Sequence, residues 1–152
     1  MKKINHQATK IFCKLLEKLD NHGYMKLSSD GFMPLVLEQV DENITTPYGN
    51  AKLFSLAHYY EQNGDLMRDP EMVFIVVDNR IEKNDVELIG IYPQMYQQDS
   101  LGIYEESVNI ESNKLTTFKK RWQHSHCNFA NMWLKNISHQ GFLDKQVQTT
   151  IK

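Results

Sequence analysis

Two cysteines, four prolines and seven glycines are spread thinly through 152 residues, and no apolar run approaches the ~20 residues that cross a bilayer. Cys13 and Cys127 are too few to staple a small fold, so a reduced, cytoplasmic setting is expected, without membrane contact. The glycines and prolines stand singly, leaving no linker, low-complexity tract or internal repeat to divide the chain. The start, Met1-Lys2-Lys3-Ile4-Asn5-His6-Gln7, is basic but has no apolar stretch after it to act as a signal peptide. A strong charge of one sign is missing too. Lys+Arg 17 stand against Asp+Glu 19, and the pI of about 6.3 lies far below the ~9 of a dedicated DNA-binding domain. There is no Gly-x-x-x-x-Gly-Lys phosphate loop, Gly-x-Gly-x-x-Gly, Gly-x-Ser-x-Gly or Cys-x-x-Cys. These absences exclude a disulfide scaffold and the enzymes that carry those signatures, and they imply no cofactor.

What is present describes one domain, expected over residues 1–145 with a tail at 146–152. A chain of this length buries roughly two-thirds of its unfolded surface, enough for a core of its own. Ile4, Ala8, Ile11, Phe12, Leu15, Leu16 and Leu19 recur at helical spacing and predict a helix from about Asn5 to Asn21, closed at Gly23. Tyr24 to Leu27 and Phe32 to Val40 read as paired strands about a Ser28–Gly31 turn, with a polar loop at Asp41 to Asn50. Lys52 to Gln62 reads as a third strand. Met72-Val73-Phe74-Ile75-Val76-Val77 is apolar at every position, which predicts a central strand from Glu71 to Asp78 with both faces covered. Val86 to Tyr92 follows, with Pro93 barring extension through Tyr96 unless the strand bulges or lies at an edge. Tyr104 to Ile110 is a weaker last strand. Leu115, Phe118, Trp122, His126, Phe129, Trp133 and Ile137 step by three and four, predicting a long helix from about Asn113 to His139. The fold class expected is α+β: a mostly antiparallel sheet of about five strands packed by the two terminal helices.

Charge divides by segment. Residues 1–27 hold six lysines and two acids, and residues 112–152 hold seven bases and one acid. Residues 59–111 hold three bases and twelve acids. The plain explanation is cationic helices matched to an acidic sheet. The sharper one is a two-faced molecule, with one face suited to phosphate or an acidic protein and the other imitating nucleic acid.

Two clusters carry possible chemistry. In His124-Ser125-His126-Cys127 the histidines are two apart, about 200° around a helix, so they cannot share an ion. His126 reads as a hydrogen-bonding residue of the helix–sheet interface and Cys127 as a buried filler. The second cluster, residues 56–72, places His58, Tyr59, Tyr60, Glu61, Asp65, Asp69 and Glu71 around a strand–loop–strand connection. Such acids can hold Mg²⁺ or act as general acid and base. They can equally cap turns, with Tyr59 and Tyr60 on opposite faces.

His58-Tyr59-Tyr60-Glu61-Gln62-Asn63-Gly64-Asp65-Leu66-Met67-Arg68-Asp69-Pro70-Glu71-Met72 resembles the signature of an uncharacterised small domain family of bacterial mobile elements. That family occurs in conjugative elements, plasmids and phages of Firmicutes and Bacteroidetes, sometimes attached to larger replication or DNA-processing proteins. The similarity extends loosely from Phe32 to Tyr92. It implies a small α+β accessory domain and supplies no catalytic residues. The function expected is therefore binding, without catalytic or metal-ligating residues. The partner would be a host or element-encoded nucleic-acid-processing protein, most concretely a defence nuclease inhibited in the manner of anti-CRISPR or antirestriction proteins. Tyr59, Glu61, Asp65, Arg68, Asp69 and Glu71 are the expected contact residues. One alternative is a metal-dependent phosphodiesterase using His58, Glu61, Asp65 and Asp69. The other is direct nucleic-acid contact through Lys10, Lys14, Lys119, Lys120 and Arg121. Oligomeric state stays open.

Overall fold

In the computed structural model, which describes residues 1–148, the first apolar stripe folds as α1, His6–Leu19. Asn5 caps it, the side-chain oxygen accepting the Ala8 N–H at 2.8 Å. Ala8, Ile11, Phe12, Leu15 and Leu19 are all buried along one side. The helix closes at Asp20, with φ of 53° and its N–H on the Leu16 carbonyl. The positive-φ residue that closes the helix is thus Asp20, not Gly23.

The strands are β1 Tyr24–Leu27, β2 Leu35–Thr46, β3 Gly49–Gln62, β4 Asp65–Asp78, β5 Ile89–Gln98, β6 Ile103–Glu106, β7 Val108–Glu111 and β8 Lys114–Phe118; α2, Lys120–His139, follows. They form one sheet of eight strands in the order β6-β5-β4-β3-β2-β8-β7, with β1 also on β2. The α+β class and mostly antiparallel pairing hold, but the count of about five is corrected to eight. Among the described residues only β2 and β8 run parallel, at Thr45 and Lys114. Ser107 alone separates β6 from β7. Its N–H donates to the Gln94 carbonyl of β5 at 2.8 Å, and Gln94 Nε2 donates to the Val108 carbonyl at 2.9 Å. The far end of the strand order therefore returns to β5, and the sheet curls over itself.

Two cores result. On one face α1 and α2 lie side by side, tied where the Lys2 N–H meets Gln123 Oε1 at 2.9 Å and the Asn5 N–H meets Asn131 Oδ1 at 2.8 Å. Beneath them Phe12 packs edge-on to Phe74 at 5.0 Å, with Leu37, Leu56, Met72, Ile91 and Trp133 around the pair. On the other face the β7–β8 hairpin covers a smaller core of Ile44, Ala51, Ile75, Val77, Tyr92, Val108 and Leu115. The apolar run of β4 feeds both cores, Met72, Phe74 and Val76 one way and Ile75 and Val77 the other. The strand begins earlier than expected, at Asp65, and Val73 stays half-buried outside both cores, so cover of both faces is not complete.

Several boundaries move. Residues 41–50 are not a loop: β2 runs through Thr46 and β3 begins at Gly49, with register shifts near Asp41. Only Ile44 there points inward, so no alternation marks the strand. Residues 113–118 are not helical either. Ser112 and Asn113 both have positive φ, at 50° and 59°, forming a tight turn into β8. Leu115 enters the small core and Phe118 is left exposed. β5 continues past Pro93 because the β4–β5 register shifts between Val73 and Phe74, the bulge the proline requires. The expected strand from Tyr104 to Ile110 is two strands with different partners. At the chain end Val147 packs on the main core and Gln148 pairs with Lys26; the rest of the expected tail, 149–152, lies outside the described residues.

Candidate functional site

The β3–β4 hairpin outruns its neighbours. Pairing with β2 stops at Leu35–His58 and pairing with β5 stops at Glu71–Gln97. Residues 59–69 thus extend as a two-stranded arm closed by Asn63 and Gly64, both at positive φ, the geometry of a tight hairpin turn. The expected strand–loop–strand connection is in fact a regular hairpin at one end of the sheet.

Directly opposed residues of a sheet share a face, and successive residues alternate. Tyr59 opposes Arg68 and Glu61 opposes Leu66, whereas Tyr60 opposes Met67 and Gln62 opposes Asp65. Between Ala57–Glu71 and Tyr59–Arg68 the register shifts, β4 carrying the extra residue. That bulge brings Arg68 onto the side of Glu71, and the two pair at 3.2 Å. This is the outer face, away from the helices. Tyr24 and Glu38 oppose each other there on β1 and β2, and Tyr104 and Glu106 extend the face on β6.

The tyrosines sense these carboxylates. Burial raises the Tyr59 hydroxyl pKa most, followed by the charge of Glu71, with Glu38 adding to it. Burial and then Glu38 raise that of Tyr24. Tyr104 donates to Glu106 at 2.5 Å, and that bond, ahead of burial and of the charges of Glu106 and Glu71, pushes its pKa up to about 12. The β7–β8 hairpin covers only the other half of this face. What remains open is an array of tyrosines and carboxylates with Arg68 within it; Leu66 and Tyr104 are 62% and 57% exposed.

Of the expected contact residues, Tyr59, Glu61, Arg68 and Glu71 share this face. Asp65 and Asp69 do not. Asp65 stands exposed at the arm's tip, and Asp69 accepts from Gln98 Nε2 at 2.8 Å on the helix side. Glu71 is not free either: it accepts from Ser55 at 2.5 Å as well as from Arg68. Arg68 also reaches Asp99, which takes its backbone N–H at 2.8 Å. His58 is buried against Trp133 and Phe142. Its Nδ1 lies 3.1 Å from the Met33 carbonyl and 3.3 Å from that of Pro34, so it donates, and burial above all lowers its pKa. His58, Glu61, Asp65 and Asp69 therefore do not converge on one point. Among the described residues no three His, Cys, Asp or Glu side chains are grouped as metal ligands.

The basic residues fall into two places. Lys10 and Lys14 line a groove beside α1 that takes no residue from α2. Lys119, Lys120 and Arg121 begin α2, where Lys119 Nζ sits 4.4 Å over the Trp122 ring.

The local signals missed Glu105 and Ser107. His126 Nε2 meets Glu105 Oε1 at 2.8 Å and Nδ1 meets Ser107 Oγ at 3.0 Å, the interface role its position on the helix suggested. The Ser–His–Glu line resembles a hydrolase relay only in residue type. Ser107 is 1% exposed and also bonds the Gln94 carbonyl, so no substrate reaches its hydroxyl. Cys127 donates to the Lys3 carbonyl, and burial pushes its thiol up to about 11, an inert filler.

Residues 7–143 match a family described as a domain of unknown function (DUF6908). No curated protein and no solved structure matches the chain.

Proposed function

That the chain belongs to the DUF6908 family is the premise from which we propose that it acts by binding rather than by turnover. In this reading it is a cytoplasmic accessory protein of a mobile element. Its partner is a nucleic-acid-handling protein, host- or element-encoded, and inhibition of a host defence nuclease is the most concrete form. One observation supports the reading above others: the open half of the outer sheet face. There Glu38, Glu61 and Glu106 stand with Tyr24, Tyr59 and Tyr104 on adjoining strands, while Glu71 is taken up by Arg68 and Ser55. A rigid array of carboxylates complements a cationic nucleic-acid groove and discriminates against acidic surfaces. Tyrosines supply contact area at low entropic cost, as in most protein interfaces.

The test is capture of a partner from host lysate after digestion of all nucleic acid, followed by competition with duplex DNA. The expected partner binds DNA by itself and is displaced by it. Tyr104→Ala combined with Glu106→Gln should weaken the complex about tenfold or more at an unchanged melting temperature. Equal capture by the variant, or capture that needs nucleic acid, would refute the reading.

A further inference from the structure

On the helix side, remote from the open face, a groove of about 970 Å³ runs between α1, the ends of β3 and β4, and the loop at 79–86. That is the upper range for a small-molecule site. Its charges are unequally committed. Asp78 is held by Arg80 through two bonds, Nε to Oδ1 at 2.9 Å and Nη2 to Oδ2 at 2.8 Å. Glu17 is held by Lys83 at 2.7 Å. Of the lining carboxylates this leaves Asp20 and Glu82, against three lysines without an ion-pair partner among the described residues: Lys10, Lys14 and Lys52. Lys10 and Lys14 are one helical turn apart on α1, so their ammonium groups share one side. Lys52 approaches from β3, close enough to Asp78 to lower its pKa further, behind the larger effect of Arg80.

The rest of the lining is of two kinds. Leu16, Phe54 and Val76 form an apolar floor, and Ile81, 91% exposed, stands at the loop tip above it. Gln39, Asn50, Asn79 and Asn84 bring carboxamides, each offering a donor and an acceptor together. Lysines suit a phosphate, an apolar floor suits the face of a planar ring, and carboxamides suit the polar edge of a heterocycle. We infer that this groove binds a nucleoside phosphate, its phosphate on Lys10, Lys14 and Lys52 and its base over Phe54 and Val76. The site shares no residue with the open face, so it stands or fails independently of the proposed partner.

The experiment titrates the full chain separately with adenosine 5′-monophosphate, adenosine and inorganic phosphate, by calorimetry and backbone amide shifts. The nucleotide should bind saturably, with each fragment at least about tenfold weaker, because neither engages both the lysines and the floor. Lys10→Gln with Lys14→Gln should weaken nucleotide binding about tenfold or more. Lys135→Gln, exposed on α2 and outside the groove, should leave it unchanged. Both α1 lysines are exposed, and an unchanged melting temperature confirms that the fold is kept. Absence of saturable binding at ~10 mM nucleotide overturns the inference. So does phosphate bound as tightly as the nucleotide, or binding indifferent to the α1 lysines.

Discussion

The outer face of the sheet is one surface with two fates. Over the half that carries Leu53, Ile75, Val77 and Tyr92 the β7–β8 hairpin closes, and Ile75 and Val77 are 0% and 2% exposed. Two residues back along β4 the same face carries Val73 and then Glu71, half-buried and uncovered. Strand, face and partners are shared. What differs is whether the eleven residues of the β7–β8 hairpin, 108–118, fold back over it, and Ser107 is where the chain passes from pairing on β5 to pairing on β8. Where the hairpin lies, β4 is apolar on both sides; beyond it the outer face of the same strand passes through Val73 to Glu71 and Arg68.

The largest effect that could break this comparison is a pair of truncations on that one face. Ile75→Ala leaves a cavity in a closed core and should cost about 2–5 kcal/mol. Val73→Ala, two residues away, should cost about 1 kcal/mol or less, because water already reaches its side chain. Urea midpoints measure both. Equal losses would mean that the open half is covered in solution.

A smaller effect contrasts His58 with its neighbour Tyr59, consecutive residues on opposite faces. Burial depresses the pKa of His58 below its ordinary 6.5. A histidine whose folded pKa is depressed binds its proton more readily when unfolded. Its share of stability is therefore complete above pH 6.5 and falls as pH drops from there towards the folded value. Melting temperatures across that window should decline in the wild type. The part due to His58 should vanish in His58→Gln, whose amide can still donate to the Met33 carbonyl. Imidazole shifts placing His58 at or above 6.5 would mean that the helix side admits water at this point.

Much of the fold was legible because burial writes periodicity into sequence. The stripe of α1 and the unbroken apolar run of β4 each have one solution. β8 was hidden by coincidence: Leu115 and Phe118 continue the three-four spacing of Trp122, His126 and Phe129 backwards, and the turn before it uses Ser112 and Asn113 without a glycine. The distal part of β2 was hidden by lack of burial. The site was half legible. Residues 58–72 stand out as a cluster, but simple alternation puts Asp69 with Glu71 and Arg68 opposite, and the bulge reverses this. Tyr24, Glu38, Tyr104 and Glu106 join only through long-range pairing, for which a local pattern holds no signal. The groove has the same origin, its lysines coming from α1 and β3 and its acids' partners from the loop at 79–86.

The smallest effect sharpens the comparison most finely, because it asks whether the open half is an organised array or a set of separate side chains. Tyr104 is the most exposed tyrosine of that face, yet its pKa stands at about 12 against an ordinary 10.0. Glu106 dominates that shift by accepting the hydroxyl's hydrogen bond. A phenol raised in this way stabilises the fold fully below pH 10 and loses the contribution as pH rises towards 12. At 57% exposure water screens most of it, so the readout is ultraviolet titration of phenolate rather than stability. Subtracting the curve of Tyr104→Phe from the wild type should isolate a late-titrating group, and Glu106→Gln should move that group back towards 10.0. If Tyr104 ionises at the ordinary value, the hydroxyl and carboxylate rotate independently. A partner would then have to order both on arrival, at a cost of roughly 0.5–1.5 kcal/mol for each side chain, and the open half would lose the rigidity on which charge complementarity with a cationic groove depends.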